Sequence, residues 1–224
     1  MGLGGCVNRG GMENLIEAWA YYIQNQAAFW QAAEEHLLLT SAAMGISLLI
    51  GLPTGIWIAH RNKIAQATIN GFNALRVIPS LAVLFLVLPY LGLGFVPSLV
   101  ALSFLALTPV LINTYAGLRG VDGAIKEAAS GMGLSAAQVL LQIEIPLAVP
   151  AIVTGIRIAA VEVISSATLA SFIGGGGLGD FITRGFALYD VPIMLVGAIP
   201  VALLALLSES FWSVFLRFYA GYAR

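Results

Sequence analysis

Runs of about twenty apolar residues recur along the chain, and no other feature restricts its fold so severely. A helix of about 20 residues crosses the roughly 30 Å hydrocarbon layer of a bilayer. Five runs qualify, near 37–59, 72–91, 96–118, 148–173 and 191–216. Pro53, Pro79, Pro109 and Pro200 fall inside them. In a bundle, neighbouring helices take up the carbonyls that a proline frees, so kinked but continuous spans are expected. The rest of the composition agrees: 59% of residues are hydrophobic and only 9% charged, where soluble domains carry about 25% charged residues. The expected fold is an all-α integral membrane protein with five transmembrane helices, one domain over 37–217 and no internal repeat. A net charge of -1 leaves no basic surface to neutralise phosphates, which argues against a nucleic-acid partner.

Residues 3–6 read "LGGC", a faint likeness to a lipidation box, but no charged and apolar leader precedes Cys6. The first span is expected to act as its own insertion signal, and a single cysteine forms no internal disulfide. Cations set the orientation. Arg61, Lys63 and Arg76 flank the first connection, Arg119 and Lys126 lie in the polar segment 120–146, and Arg217 and Arg224 close the chain. The opposite side holds only Arg9 and Arg184, together with Glu13, Glu17, Glu34, Glu35, Asp180 and Asp190. By the positive-inside rule the polar segment and the 218–224 tail are cytoplasmic and the N-terminus lies outside. Within the outer segment 1–36, Leu15, Trp19, Tyr22, Ile23 and Trp30 fall near helical spacing. An interfacial amphipathic helix over 12–36, anchored by its aromatic residues, is expected.

The polar segment interrupts an otherwise apolar chain. Asp122 is placed to cap a short helix over 123–130. Gly131 and Gly133 supply the freedom for a tight reversal. Ser135 and Gln138 form the pattern of a capping box for a second short helix, expected to end near Glu144 because Pro146 disfavours helical geometry at Ile145. A helix-turn-helix that reads DNA has this outline but fails on charge, since Lys126 stands alone against Asp122, Glu127 and Glu144. Two readings remain, an ordinary structured loop or an apolar knob that docks into a groove of another protein.

Glu127-Ala128-Ala129, then Gly133, then Ile143-x-Ile145-Pro146 resembles the EAA loop of type I ABC-importer permeases. The one departure is Ile145, where the family pattern has leucine. The resemblance implies that Gly131, Gly133, Leu134 and Ser135 belong to a coupling helix seated in a cleft of a cytosolic ATPase. It also implies a dimer of ATPase subunits, a second permease copy or close paralogue, an extracytoplasmic substrate-binding protein and a bacterial inner-membrane location. This chain would then bind no cofactor, with ATP and magnesium held by the ATPase. "RVIPSLAVLFLVLPYLGLGFVPSLVAL", "NTYAGLRGVDGAIKEAA" and "SATLASFIGGGGLGDFITRG" look like the osmoprotectant branch, which serves glycine betaine, carnitine, choline and related quaternary amines. Methionine permeases share the five-span plan and similar glycine-rich loops, so methionine stands as the alternative cargo.

Other residues carry weaker signals. Gly174, Gly175, Gly176 and Gly177, followed by Asp180, lack the Lys-Ser/Thr ending of a phosphate-binding loop and fall on the outer side. They form either a flexible outer loop near a docked binding protein or a turn that lets helices approach. Arg157 and Glu162 are ionisable groups inside the fourth span, five residues apart, so each is expected to pair elsewhere. Both are candidates for the pathway or gate; the alternatives are a structural ion pair, or Arg157 snorkelling to the cytosolic interface. Asn73 and Arg76 are expected as anchors at the cytosolic mouth of the second span. His36 and His60 sit at opposite ends of the first span, so no mid-membrane hydroxyl–imidazole pair is available and no metal-binding cluster is evident. An enzyme is not expected. A channel would have no use for an ATPase-docking loop.

Overall fold

The computed structural model describes residues 11–222; Cys6, Arg9 and Arg224 lie outside the described residues. Among the described residues every regular element is helical. Helix α1 spans Gly11–Gln24, α2 Gln26–Ala59, α3 Asn62–Leu75, α4 Ser80–Leu91 and α5 Phe95–Arg119. The short helices α6 (Gly123–Gly131) and α7 (Ala136–Val139) follow, then α8 (Ile145–Ala170), α9 (Gly179–Leu188) and α10 (Val191–Tyr222).

Helix α5 is the keel. It packs against α2 on one side and α8 on the other, and 56% of its most apolar stretch is buried, against 22% for α10. Lipid tails are as apolar as leucine, so helices in a membrane associate by close van der Waals fit, which small residues permit. Gly51 and Gly55, one turn apart on α2, lie against Val110 and Thr114 of α5. Gly155 of α8 sits so near α5 that an added Cβ would stand 2.6 Å from Asn113 Cβ and 2.7 Å from the Pro109 carbonyl. Leu39, Leu84, Leu102, Val110 and Val163 fill the space between α2, α4, α5 and α8. A second cluster, with Ala18, Phe181, Ile193 and Val196, joins α1, α9 and α10.

Four of the five expected spans are continuous helices; the second is not. At Pro79 the chain breaks, and α3 and α4 meet at 95°. Pro79 has ψ 141° and starts α4 from outside the helix, while α3 closes with tight turns from Val77 N–H to the Ala74 carbonyl and Ile78 N–H to the Leu75 carbonyl. A proline disfavours helix at the residue before it, and α3 is too polar for hydrocarbon, with Gln66 and Asn70 hydrogen-bonded to each other at 2.9 Å. The apolar limb α4 has only 12 residues, about 18 Å of rise. Pro53, Pro109 and Pro200, by contrast, lie inside unbroken helices as expected.

Three boundaries move. The interfacial helix ends at Gln24, where Asn25 bends the chain and its side chain donates to the Tyr21 carbonyl at 2.9 Å. Residues 26–36 belong to α2, whose 34 residues rise about 51 Å, so no boundary falls between 36 and 37. At the other end α10 runs on to Tyr222, through the start of the supposed tail. Finally, Pro146 does not stop a helix. A π-helical turn over Leu140–Glu144 leads from α7 into α8, and Ile145 keeps α-helical angles. The wider turn gives room for the proline ring, which clashes with the carbonyl four residues back in a regular helix.

The α5–α8 approach makes a prediction. Gly155→Ala should lower the thermal unfolding midpoint of the purified protein in detergent, the misfit costing about 1–3 kcal/mol against a helix-propensity gain of about 1 kcal/mol. Gly45→Ala, on α2 with nothing within 4 Å of the added Cβ, should leave the midpoint unchanged or raise it. Equal midpoints for the two variants would show that this crossing is not close-packed.

Candidate functional site

The polar segment folds around a glycine turn as the capping pattern predicts. Ala124 N–H donates to Asp122 Oδ1 at 2.9 Å, fixing the start of α6. At Gly133 the chain reverses with φ 90°, an angle that costs an L-residue roughly 1–2 kcal/mol. Gly131 does not share this role; it ends α6 without a positive φ. The capping box closes in both directions: Ser135 N–H donates to Gln138 Oε1 at 2.8 Å, and Gln138 N–H donates to Ser135 Oγ at 3.4 Å. Ala129 and Val139 point inward. Glu127, Ala128, Gly131, Gly133 and Ser135 are exposed, and Leu134, Ile143, Ile145 and Pro146 are half-buried. Met132, 74% exposed, stands at the tip beside the open face of Gly133.

A buried carboxylate fastens this knob to the bundle. Glu144, 5% exposed, sits in the π-helical turn. Its Oε1 lies 3.3 Å from Lys126 Nζ and its Oε2 3.0 Å from His60 Nε2. Lys126 also donates to the Leu118 carbonyl at 3.2 Å, and the other His60 nitrogen faces the Ile56 carbonyl at 2.9 Å. The carboxylate and Lys126 together join α6 and the root of α8 to the ends of α2 and α5. The Tyr219 hydroxyl donates to the Pro146 carbonyl at 2.9 Å. Pro150, four residues on, has no N–H for that carbonyl, so α10 supplies the missing donor. Glu144, His60, Lys126 and Tyr219 were not legible as one unit. Only a solitary glutamate in an apolar run hinted at it.

Arg157 and Glu162 part company. Arg157 Nη2 pairs with Glu209 Oε1 of α10 at 3.0 Å, so the last span carries an acid that was not singled out from the sequence. Glu162 instead lines a cavity of about 290 Å³ with Arg76, Ser80, Phe104, Thr108 and Ser166. Arg76 thus lines an internal cavity rather than serving as a simple interface anchor. The turn before α5 is pinned to the end of α8 by the hydrogen bond from Gly94 N–H to the Ile173 carbonyl, 2.8 Å. Counting 1.5 Å per residue down from there, Ser80 on α4 and Glu162 on α8 both lie roughly 17–18 Å deep, near the middle of the layer.

The glycine-rich loop is packed. Gly174, Gly176 and Gly177 take left-handed angles, Gly175, Gly177, Leu178 and Gly179 are buried, and Gly177 N–H donates to Glu35 Oε2 at 3.1 Å. The turn that admits close helices is thus the reading the geometry favours over a flexible loop. Asp180 lies outside the spans, where burial first and the Glu35 carboxylate second push its carboxyl above the usual range.

Residues 51–218 match the family described as binding-protein-dependent transport system inner membrane component. The carnitine transport permease protein OpuCB of Listeria monocytogenes is 44% identical over 78% of this chain and 80% of its own length. The glycine betaine/carnitine/choline transport system permease protein OpuCB of Bacillus subtilis is 42% identical over 78% and 81%. The osmoprotectant import permease protein OsmY of Salmonella typhimurium is 38% identical over 82% and 79%. Among solved structures, a chain of the MetNI methionine ABC transporter in an inward-facing conformation superposes with a TM-score of 0.77, covering 87% of this chain and 97% of that one at 20% identity.

Proposed function

This chain belongs to the binding-protein-dependent transport system inner membrane components, and on that premise we propose that it carries quaternary-amine osmoprotectants inward across the bacterial inner membrane. It is a multi-pass permease of an ABC importer and not an enzyme; ATP is hydrolysed by a separate ATPase subunit. The observation that carries the cargo is the set of relatives 38–44% identical over more than three quarters of the chain, whose names specify carnitine, glycine betaine, choline or osmoprotectants. The likeness to a methionine transporter, at 20% identity, speaks to the fold alone.

Within that reading the knob at Met132–Gly133–Leu134 docks on a cytosolic ATPase dimer, ATP and magnesium stay on that partner, and an extracytoplasmic binding protein delivers substrate at the outer loop. A second permease copy or close paralogue covers the face left open here. The exposed apolar tip, the reversal at Gly133 and the Glu144 anchor support this arrangement, because a rigidly held knob transmits displacement into α8. The orientation follows from the cations around the first connection and the polar segment, with the N-terminus outside and the C-terminus in the cytoplasm.

Three outcomes are expected. Vesicles reconstituted with the permease, its ATPase and binding protein, and loaded with ATP, should accumulate labelled glycine betaine, carnitine or choline. Accumulation of methionine and none of these would overturn the cargo. Gly133→Asp should cut ATP-driven uptake at least about tenfold while the protein still inserts, because the turn requires a left-handed residue and an anion is added to the docking tip. Unimpaired uptake would remove the loop from coupling. Ser135→Cys, in a chain lacking Cys6, should react with membrane-impermeant thiol reagents only from the cytoplasmic side. Labelling in intact cells would invert the topology.

A further inference from the structure

The mid-membrane cavity between α4, α5 and α8 holds an acid and a base that do not close on one another. Arg76 stands at the break between α3 and α4, and Glu162 on the facing wall of α8. Among the described residues neither makes an ion pair within 4.0 Å, whereas Arg157 and Glu209 in the same bundle do. Thr108 and Ser166, which carry hydroxyls, and the ring of Phe104, 39% exposed, line the same cavity. Helix α4 begins at Ser80, so the unpaired N–H groups and positive end of its dipole face the cavity on the side of Arg76.

Two arguments limit what this arrangement serves. An exposed arginine near the bilayer centre costs about 2.5–3.5 kcal/mol on insertion scales, so such groups face a partner or a watered cavity rather than lipid. Arg76 is exposed in the single chain, and its face must therefore look onto the space between subunits. The volume, about 290 Å³, lies at the small end of the roughly 300–1,000 Å³ typical of small-molecule pockets. A solute far smaller than a drug fits it.

Resting on the cargo class proposed above, we propose that this cavity is a transient binding site for a zwitterion in transit, with Glu162 and the Phe104 ring facing the quaternary ammonium and Arg76 the carboxylate. Carnitine and glycine betaine carry both charges, a bulky cation that an aromatic face attracts and a carboxylate that a guanidinium grips in a fork. Choline carries only the cation. Arg76 is thus a determinant of selectivity within the cargo class, and Glu162 a determinant common to all of it. Residues that separate an anionic end from a hydroxyl end are expected here because a site built for one group leaves its donors unpaired against the other.

The test is initial uptake of labelled glycine betaine, carnitine and choline by ATP-loaded vesicles holding the complete transporter. Arg76→Gln should lower the ratio of glycine betaine to choline uptake about tenfold or more, the loss of one charged hydrogen-bonding partner. Arg76→Lys should lower it less. Glu162→Gln should slow all three solutes about tenfold, with Glu162→Asp recovering part of the rate. Because each ratio is taken on the same vesicles, a variant that merely folds poorly changes both solutes together. If Arg76→Gln abolishes all uptake, the ratio in Arg76→Lys decides. An unchanged ratio in the variant that transports, normal uptake in Glu162→Gln, or a wild type that takes choline and no zwitterion overturns this site while leaving the osmoprotectant reading intact. A wild type that takes none of the three defeats that reading first, and this inference with it.

Discussion

Hydrocarbon offers no hydrogen bonds, so each backbone N–H and C=O inside the layer must find its partner within the protein. Much of the irregularity in this chain follows from that requirement. Where Pro150 removes the donor for the Pro146 carbonyl, Tyr219 of α10 takes its place. Where Pro146 would collide with the preceding turn, the helix widens into a π turn and continues. Hydroxyls fold back on their own helices: Thr40 donates to the His36 carbonyl at 2.8 Å and Thr114 to the Val110 carbonyl at 2.7 Å. Ser47 does so while reaching the Ser103 carbonyl of α5 at 2.7 Å. Only at Pro79 does the helix give way, and there the freed groups open on a polar cavity rather than on lipid.

With backbone groups satisfied in this way, helix association rests mainly on shape. The glycines of α2 and α8 bring their backbones onto α5 from opposite sides, and the three helices form one unit. The polar segment is not an appendage of this unit. Glu144 binds it to the end of α2, Lys126 binds it to the end of α5, and the continuous run from α7 through the π turn makes it the root of α8. A displacement of the exposed tip is carried into the same helix that bears Glu162, about 26 Å along its axis at 1.5 Å per residue. The polar segment and the cavity wall are two ends of one rod.

The long apolar runs, the caps at Asp122 and Ser135 and the reversal at Gly133 were legible because each depends on residues within a few positions of one another. The broken second span was missed because a sliding count of apolar residues treats Pro79 like Pro53, although Pro53 is followed by enough helix on both sides to stay anchored against α5. The interfacial helix was drawn twelve residues too long because Trp30 continues its apolar spacing past Asn25, where the chain bends. Glu209 and Tyr219 lay hidden in a run read for hydropathy. Their meaning depends on Arg157 and Pro146, 52 and 73 positions away, and no local pattern joins such pairs.

The two pairs of opposite charge in the bundle show what such groups are for. Arg157 and Glu209 meet at 3.0 Å and neutralise one another, which lets two ionisable side chains tie α8 to α10 at tolerable cost. Arg76 and Glu162 face each other across open space, so their desolvation is not offset by contact. A pair kept apart in a low dielectric persists only if water or a solute stands between its members. Water alone would be served as well by hydroxyls, which the cavity already has in Thr108 and Ser166. Opposite charges on opposite walls favour a solute with opposite charges at opposite ends, and the small volume keeps that solute in reach of both. Held by two partners it can release one at a time, so a site of this kind can orient its cargo without binding it tightly enough to stop transport.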